Sequence, residues 1–388
     1  MSSLKHDVVV VGGGPVGAAL TLALQPLRIA LIAAKAPQAV PAAGFDIRVY
    51  ALSPGNIAFL EALGVWGRID SARIQPVAAM AVHGDRAGGS LVFRAEEAGL
   101  PALAAIVEGA ALQQALDAAI AETVTVTRHA PARVAAIERD AAQAAVTLAD
   151  GLTVCAQLVI GSDGRDSEVR RAAGLQVLES GYGQLGVVAH FGTARAHHGT
   201  AFQWFRDDGV LALLPLPGNC VSMVWSTPRA HAETLLALDA AALAAKVAAA
   251  SSGALGELKV LRPAAGFALH YNRVPRLIGP RLALAGDAAH SVHPLAGQGL
   301  NLGLRDVRAL AAVLKARAPR EDCGDYALLR RYERARREDI AATGLSADAL
   351  QALFSSRSAL AAAVRNSGLG ALNGLTAVKS LLIRHAAA

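Results

Sequence analysis

Three short stretches of this 388-residue chain hold the residue types that could do chemistry, and each sets glycines or an acid at the end of an apolar strand. The first is Gly12-Gly13-Gly14-Pro15-Val16-Gly17, delivered by the β-rich run DVVVV and continued by AALTLAL as a helix. In that context the G-x-G-x-x-G spacing has a mechanical reading. Gly12 permits the tight turn, Gly14 lets backbone approach a pyrophosphate, and Gly17 lets helix and strand pack closely. The helix start then presents N–H groups to negative phosphates. The second stretch runs from Arg281 to Asp306, RLALAGDAAHSVHPLAGQGLNLGLRD. Leu282 to Ala285 reads as a short buried strand broken by Gly286-Asp287. Gly297, Gln298 and Gly299 follow in a loop, and Leu300, Leu304 and Leu310 are spaced as on a helix. Backbone N–H groups would converge there on an electron-rich ligand, and the acid at the strand end can accept hydrogen bonds from a sugar-like hydroxyl chain. The third stretch is Gly161-Ser162-Asp163-Gly164, followed by a helix begun at Ser167; taken singly it is equally a turn with a serine N-cap.

The elements that must position these stretches alternate along the chain. A second strand, Arg28 to Ile32, should end in an acid for ribose hydroxyls, but Ala33, Ala34 and Lys35 stand there. Phe45 to Ser53 precedes a helix over Asn56 to Leu63. Within it Arg48 either pairs with Asp46 on the surface or leans on a bound cofactor, and spacing leaves both open. Strands are expected at Val77–Val82, Leu91–Phe93, Val124–Thr127, Arg133–Ile137, Ala145–Leu148 and Thr153–Ile160, with a helix over Gly109–Glu122. Leu185–Thr193, Phe202–Phe205, Val210–Pro215 and Cys220–Ser226 form an all-β block. Trp204, Phe205, Leu211, Leu213, Leu214, Met223 and Trp225 are its candidate pocket lining, or simply its core. A helix over Ala232–Ala249 follows, and Arg262–Leu269 returns the chain to the first domain. Tyr326–Ala342 reads as a charged helix with a solvated face. The tail from Leu345 to Arg384 reads as helical, apolar and basic.

Composition narrows the classes. At 53% hydrophobic and 18% charged residues the chain is globular, with material for two domains or one large α/β unit. A net charge of +6 spread along the sequence does not imply nucleic acid. Cys155, Cys220 and Cys323 lie too far apart for a metal or redox pair, so no metal is expected. The apolar run Val8–Leu24 is interrupted by three glycines and Pro15, so it is not read as a membrane span. The expectation is a cytoplasmic protein, with contact to the inner-membrane surface as a peripheral option. The last 38 residues hold Arg357, Arg365, Lys379 and Arg384 and no acid, which suits either a packing helix pair or a surface for anionic lipid or partner proteins.

Together, GGGPVG, SDGRDSEVR and AGDAAHSVHPLAGQGLNLGL resemble the class A FAD-dependent monooxygenases. HPLAGQGLNLGLRDV, DIRVYALS and the LLPL…VWS strands resemble the ubiquinone-biosynthesis hydroxylase branch of that family. The likeness covers essentially the whole chain. It implies an α/β fold in which a Rossmann-like FAD domain is interrupted by a β-sheet substrate domain, as in p-hydroxybenzoate hydroxylase, with C-terminal helices. The expected boundaries are 1–75, 100–180 and 270–345 for the FAD domain, 76–99 and 181–269 for the substrate domain, and 346–388 for the tail.

Carried over residue by residue, the resemblance gives Gly12, Gly14 and Gly17 the FAD pyrophosphate, and Gly286-Asp287 the ribityl chain and phosphate region. Gly297, Gln298, Gly299 and Asn301 fall to the flavin pyrimidine edge. Arg48 gains weight as an FAD contact, and Asp163 and Gly164 match a motif tied to FAD and NAD(P)H. The implied reaction is reduction of FAD by NAD(P)H, reaction with O2 to a C4a-hydroperoxide, and transfer of one oxygen to a polyprenylated phenol on the way to ubiquinone. His293 would relay protons, as would His290, although both suit packing roles; the Pro294-Leu295 backbone would floor the substrate ring. Two other readings stand beside this one. One is a hydroxylase of a small soluble aromatic acid, for which Arg206 is the candidate clamp. The other is a non-catalytic flavoprotein subunit of a biosynthetic complex.

Overall fold

The computed structural model describes residues 5–41, 44–84, 90–291, 298–355 and 376–387. Its first core is a six-stranded sheet in the order Ile278–Gly279, Leu282–Leu284, Leu158–Gly161, Val8–Val11, Ile29–Ile32, Val126–His129. Val8–Val11 runs parallel to both Ile29–Ile32 and Leu158–Gly161. A parallel sheet covered on both faces needs unbroken apolar strands, and VVVV, IALI and LVIG are buried throughout. Helix Pro15–Ala23 packs on Gln298–Lys315 where the backbones nearly touch: a Cβ on Gly303 would lie 2.7 Å from Val16 Cγ2.

The second core is an eight-stranded sheet, ordered His290–Ser291, Leu258–Arg273, Leu178–Thr193, Cys220–Pro228, Gly209–Leu216, Thr200–Arg206, Ala79–His83, Ser90–Arg94. All its pairings are antiparallel except Ala79–His83 against Thr200–Arg206. One face packs under helices Arg229–Leu236 and Ala240–Ala250 around Phe191, Trp225 and Val247. The other face is left for a cavity. A three-stranded sheet, Val49–Leu52, Ala104–Glu108, Ile74–Val77, contributes further residues to that cavity.

Three elements depart from the periodicity-based expectation. The run Thr153–Ile160 is two strands in two sheets, Thr153–Ala156 and Leu158–Gly161. The change of partner falls at Gln157, whose N–H donates to Asp7 O and whose carbonyl accepts from Arg281. The helix expected over Ala232–Ala249 is broken in two. Asp239 ends the break by accepting from Ala242 N at 2.7 Å as an N-cap, which an apolar count cannot register. The helix from Tyr326 instead continues to Ser355.

Candidate functional site

A continuous cavity of about 1950 Å³ runs from the first glycine motif to the open face of the large sheet. At the glycine end the three positions differ physically. A Cβ on Gly12, at φ +115°, would fall 2.2 Å from Ser162 O, and one on Gly17 would fall 1.9 Å from Gly12 O. These two glycines let strand, helix and the Ser162 turn close on one another. A Cβ on Gly14 would meet nothing within 4 Å. Gly14 therefore faces open space, and the helix it begins has no side-chain cap. The result is a cradle of backbone N–H groups that fits a pyrophosphate. Gln113, which sequence reasoning passed over as an ordinary helix residue, donates from Nε2 to Gly13 O at 2.9 Å and also lines the cavity.

Asp287 and Gly299 line the same cavity, and a Cβ on Gly299 would also meet nothing within 4 Å. Asp287 is open to the cavity yet ringed by protein, and this desolvation raises its carboxyl above the usual range, against the pull of His290 and Arg48. Such an acid is a ready acceptor for hydroxyls. Its turn is fixed from below by Asp306, which is fully buried. Asp306 accepts from Gly286 N at 2.8 Å, pairs with His290 Nε2 at 2.7 Å and accepts from Arg336 Nε at 2.7 Å. Burial opposes the charge on Asp306, but His290, Arg336 and the Gly286 N–H outweigh it and hold the carboxyl below its usual value. Asp306 and Arg336 were not singled out in the sequence, where they read as one charge in a glycine-rich helix start and one of many on a charged helix. His290 is thus committed to a buried hydrogen bond with Asp306, which favours its packing role over a relay.

Arg48 lines the cavity and lies 5.9 Å over the Phe267 ring, and its charge opposes the rise that burial imposes on the Tyr50 hydroxyl pKa. Among the described residues it makes no ion pair with Asp46. The Asp46 carboxylate instead accepts from Ala110 N at 3.0 Å, across from the start of helix Gly109–Ala121. The segment before Arg48 is clamped from both halves of the molecule. Asp46 N donates to buried Glu108, which also pairs with Arg73 at 2.6 Å, while Phe45 O accepts from Arg262 and Asp46 O meets His190 Nε2 at 2.7 Å.

Asp163 and Gly164 also line the cavity, but the Asp163 carboxylate serves the protein. It accepts from Ser167 Oγ at 2.5 Å and from the Glu168 and Val169 N–H groups. Ser167 caps the helix as expected, accepting from Arg170 N. Asn301 is committed as well: Oδ1 accepts from Ser53 N and Asn56 Nδ2, and Nδ2 donates to Ala51 O at 2.7 Å. It braces the helix start against the Val49–Leu52 strand and also lines the cavity. His293, Pro294, Leu295 and Gly297 lie outside the described residues, as does the side chain of Gln298. Ala33, Ala34 and Lys35 line the cavity without an acid among them.

At the far end the lining is apolar. Of the candidate lining residues, Phe205 and Leu214 face the cavity, whereas Trp204, Leu211, Leu213, Met223 and Trp225 belong to the core under the helices. The alternation of a strand explains the split: Val210, Ala212 and Leu214 point one way, Leu211 and Leu213 the other. Arg206 is not in the lining. It pairs with Asp208, donates to Ala250 O and stacks over Trp225. Sheet residues that line the chamber include Met80, Phe93, Val188, Phe202, Val224 and Leu269, and none of the described ones is ionisable.

Comparison with known proteins agrees with this geometry. Residues 5–344 match the FAD binding domain family. The chain is 38% identical over 387 residues to ubiquinone hydroxylase UbiL of Rhodospirillum rubrum, covering 98% of this chain and 89% of that protein. It is 34% identical over 390 residues to 3-demethoxyubiquinol 3-hydroxylase of Escherichia coli, covering 100% and 99%. Among solved structures, PqsL of P. aeruginosa in complex with 2-aminobenzoylacetate superposes with a TM-score of 0.76 at 25% identity, over 94% of this chain and 99% of that one. A glycine cradle with room for a pyrophosphate, an acid at a strand end and a match along nearly the full length place the chain in one family: it belongs to the class A FAD-dependent monooxygenases, in the branch that holds the ubiquinone-biosynthesis hydroxylases.

Proposed function

We propose that this enzyme hydroxylates the aromatic ring of a polyprenylated phenol intermediate in ubiquinone biosynthesis. The observation that carries the reading is the chamber: it opens directly from the cofactor cradle, and the described sheet residues lining it include no ionisable group. Such a wall disfavours a small carboxylic acid, whose charge would be desolvated without a partner, and favours a ring bearing an isoprenoid tail. The one arginine offered as a clamp, Arg206, is already paired elsewhere.

FAD, when bound, supplies the redox chemistry, taking electrons from NAD(P)H and passing one atom of O2 to the ring. The chain's own residues bind, orient and exclude water. Gly12 to Gly14 and the helix start at Pro15 would hold the pyrophosphate, Asp287 would accept from the ribityl hydroxyls, and the Gly299 backbone would meet the pyrimidine edge. Arg48, clamped through Phe45 and Asp46, sits where the cofactor cradle meets the chamber and would contact the isoalloxazine region. The apolar chamber keeps water from the reacting centre. Pro294 and Leu295 would floor the substrate ring, with His293 as the proton relay.

On this reading the enzyme works at the inner-membrane surface as a peripheral protein, with the C-terminal segment as its contact for lipid or for partner proteins. Among the described residues no helix is long and apolar enough to cross a membrane. Deleting the gene and profiling quinone lipids by mass spectrometry tests the function. Build-up of a prenylphenol lacking one ring oxygen is expected; an unchanged profile in a genome without a redundant hydroxylase would overturn the reading.

A further inference from the structure

The C-terminal helix, Thr376–Ala387, does not lie free on the surface. It packs on the short helical turn Ala95–Ala98, which directly follows the strand Ser90–Arg94, and that strand contributes Leu91 and Phe93 to the chamber. Lys379 is buried at 5% exposure and its Nζ pairs with Glu97 Oε1 at 2.6 Å. Glu97 is itself fixed, accepting from Arg94 N at 3.1 Å. Of the two uses open to the basic tail, packing or a charged surface, Lys379 serves packing. One turn farther along Leu382 and Ile383 line the cavity, and two turns along so does Ala386. Ile383 is buried, while Leu382 is 46% exposed and so touches both chamber and solvent.

An ion pair that takes its ammonium out of water is an expensive way to hold a helix that serves only packing, since a well-fitted apolar pair would do as well. What the pair supplies is a fixed position, because an uncompensated ammonium or carboxylate at that site is disfavoured. The residues held in place by it are apolar and face a chamber already lined with apolar residues.

We propose that the C-terminal helix is a specificity-determining wall of the substrate chamber, with Leu382 and Ile383 contacting the isoprenoid tail and the Lys379–Glu97 pair setting their position. This rests on the substrate class proposed above. The helix then acts on tail recognition and not on the ring or the flavin. Lys379 is a positioning residue, and its effect falls on KM for tailed substrates while kcat at saturation is kept.

The test titrates FAD-loaded, full-length protein with two probes, a farnesyl-bearing phenol and the same phenol without the tail, reading the perturbation of the flavin absorption band. Wild type is expected to bind the tailed probe at least tenfold more tightly. Ile383→Trp, which fills the chamber at the helix, should weaken the tailed probe at least tenfold and leave the tailless probe within twofold. Leu382→Ser, at a half-exposed position that tolerates change, should move in the same direction by severalfold. Lys379→Met should weaken the tailed probe, and Lys379→Arg should restore it. FAD content and flavin spectrum should be unchanged in all four. If wild type prefers the tailed probe and the variants bind both probes as wild type does, the wall is disproved while the substrate class stands. If wild type shows no preference for the tail, the substrate class falls and the inference falls with it.

Discussion

The two ends of the cavity are built by opposite means. The cofactor end is made largely of backbone: glycines at Gly12, Gly14, Gly17 and Gly299, a helix start without a side-chain cap, and a strand-end acid, Asp287, held by a buried network beneath it. The substrate end is made of side chains, drawn from strands as far apart in sequence as Ala79–His83 and Leu258–Arg273 and from a helix at the C-terminus. A backbone site is specified locally and tolerates little. A side-chain chamber is specified by distant parts of the chain and can be repacked. Mutations should therefore act steeply and on the cofactor at one end, and gradually and on the substrate at the other.

The largest effect sharpens this within the glycine motif itself. Gly12→Ala places a Cβ into Ser162 backbone at a positive φ, so no folded, FAD-bearing protein should be recovered. Gly14→Val should fold, because its Cβ meets only open space, yet it should hold FAD at least about 100-fold more weakly by occupying the approach of the pyrophosphate. Recovery of both proteins with normal FAD content would break the distinction.

Next is the network under the strand end. Asp306→Asn leaves Arg336 without its buried carboxylate partner and should cost about 3–5 kcal/mol in denaturant unfolding. Asp306 is held below the ordinary carboxylate range in the folded state, so its contribution is present at neutral pH and lost as pH falls through that depressed value. Wild type should therefore lose stability in acid more steeply than the variant.

Asp287→Asn separates binding from stability. Losing a charged acceptor for hydroxyls should weaken FAD by about 1.5–3 kcal/mol, measured by flavin titration of the apoprotein. Burial raises the Asp287 carboxyl, so the stability linked to it is full at low pH and lost as pH rises through the raised value. The apo variant should consequently melt higher than apo wild type at alkaline pH. A lower melting temperature there would contradict the assignment of a desolvated acid.

The smallest effect is expected at Arg206. Arg206→Ala should cost about 1 kcal/mol of stability through its ion pair with Asp208 and its contact over Trp225, and leave substrate turnover within about twofold. A selective loss of turnover on small aromatic acids would mean the chamber does use a clamp.

The same contrast explains what was legible beforehand. The parallel strands, the helix starts and the Gly12, Gly14, Gly17 and Asp287 positions follow from local patterns of glycine, acid and apolar runs, and the resemblance built on them carried the family and the fold class. What was not legible depended on which partners a side chain meets once the chain is folded. The side-chain partners of Asn301 and Asp163 were not legible: Ser53, Asn56 and Ala51 engage the Asn301 amide, and the Ser167–Val169 turn engages the Asp163 carboxylate. Of the seven candidate lining residues two face the chamber and five are core, because alternation gives two faces without saying which one meets helices. Nothing near Lys379 in sequence is acidic, so packing and surface roles stayed open for it; its partner Glu97 lies 282 positions away.

The most direct test of the central claim is chemical. Purified FAD-loaded protein is given NAD(P)H, isotopically labelled O2 and a prenylated phenol, and the product is weighed by mass spectrometry. The account predicts a ring hydroxyl carrying one labelled oxygen, formed only when the phenol bears its tail or binds much more weakly without it. Consumption of NAD(P)H with no labelled phenol, or faster labelling of a small aromatic acid than of the prenylated ring, would contradict it.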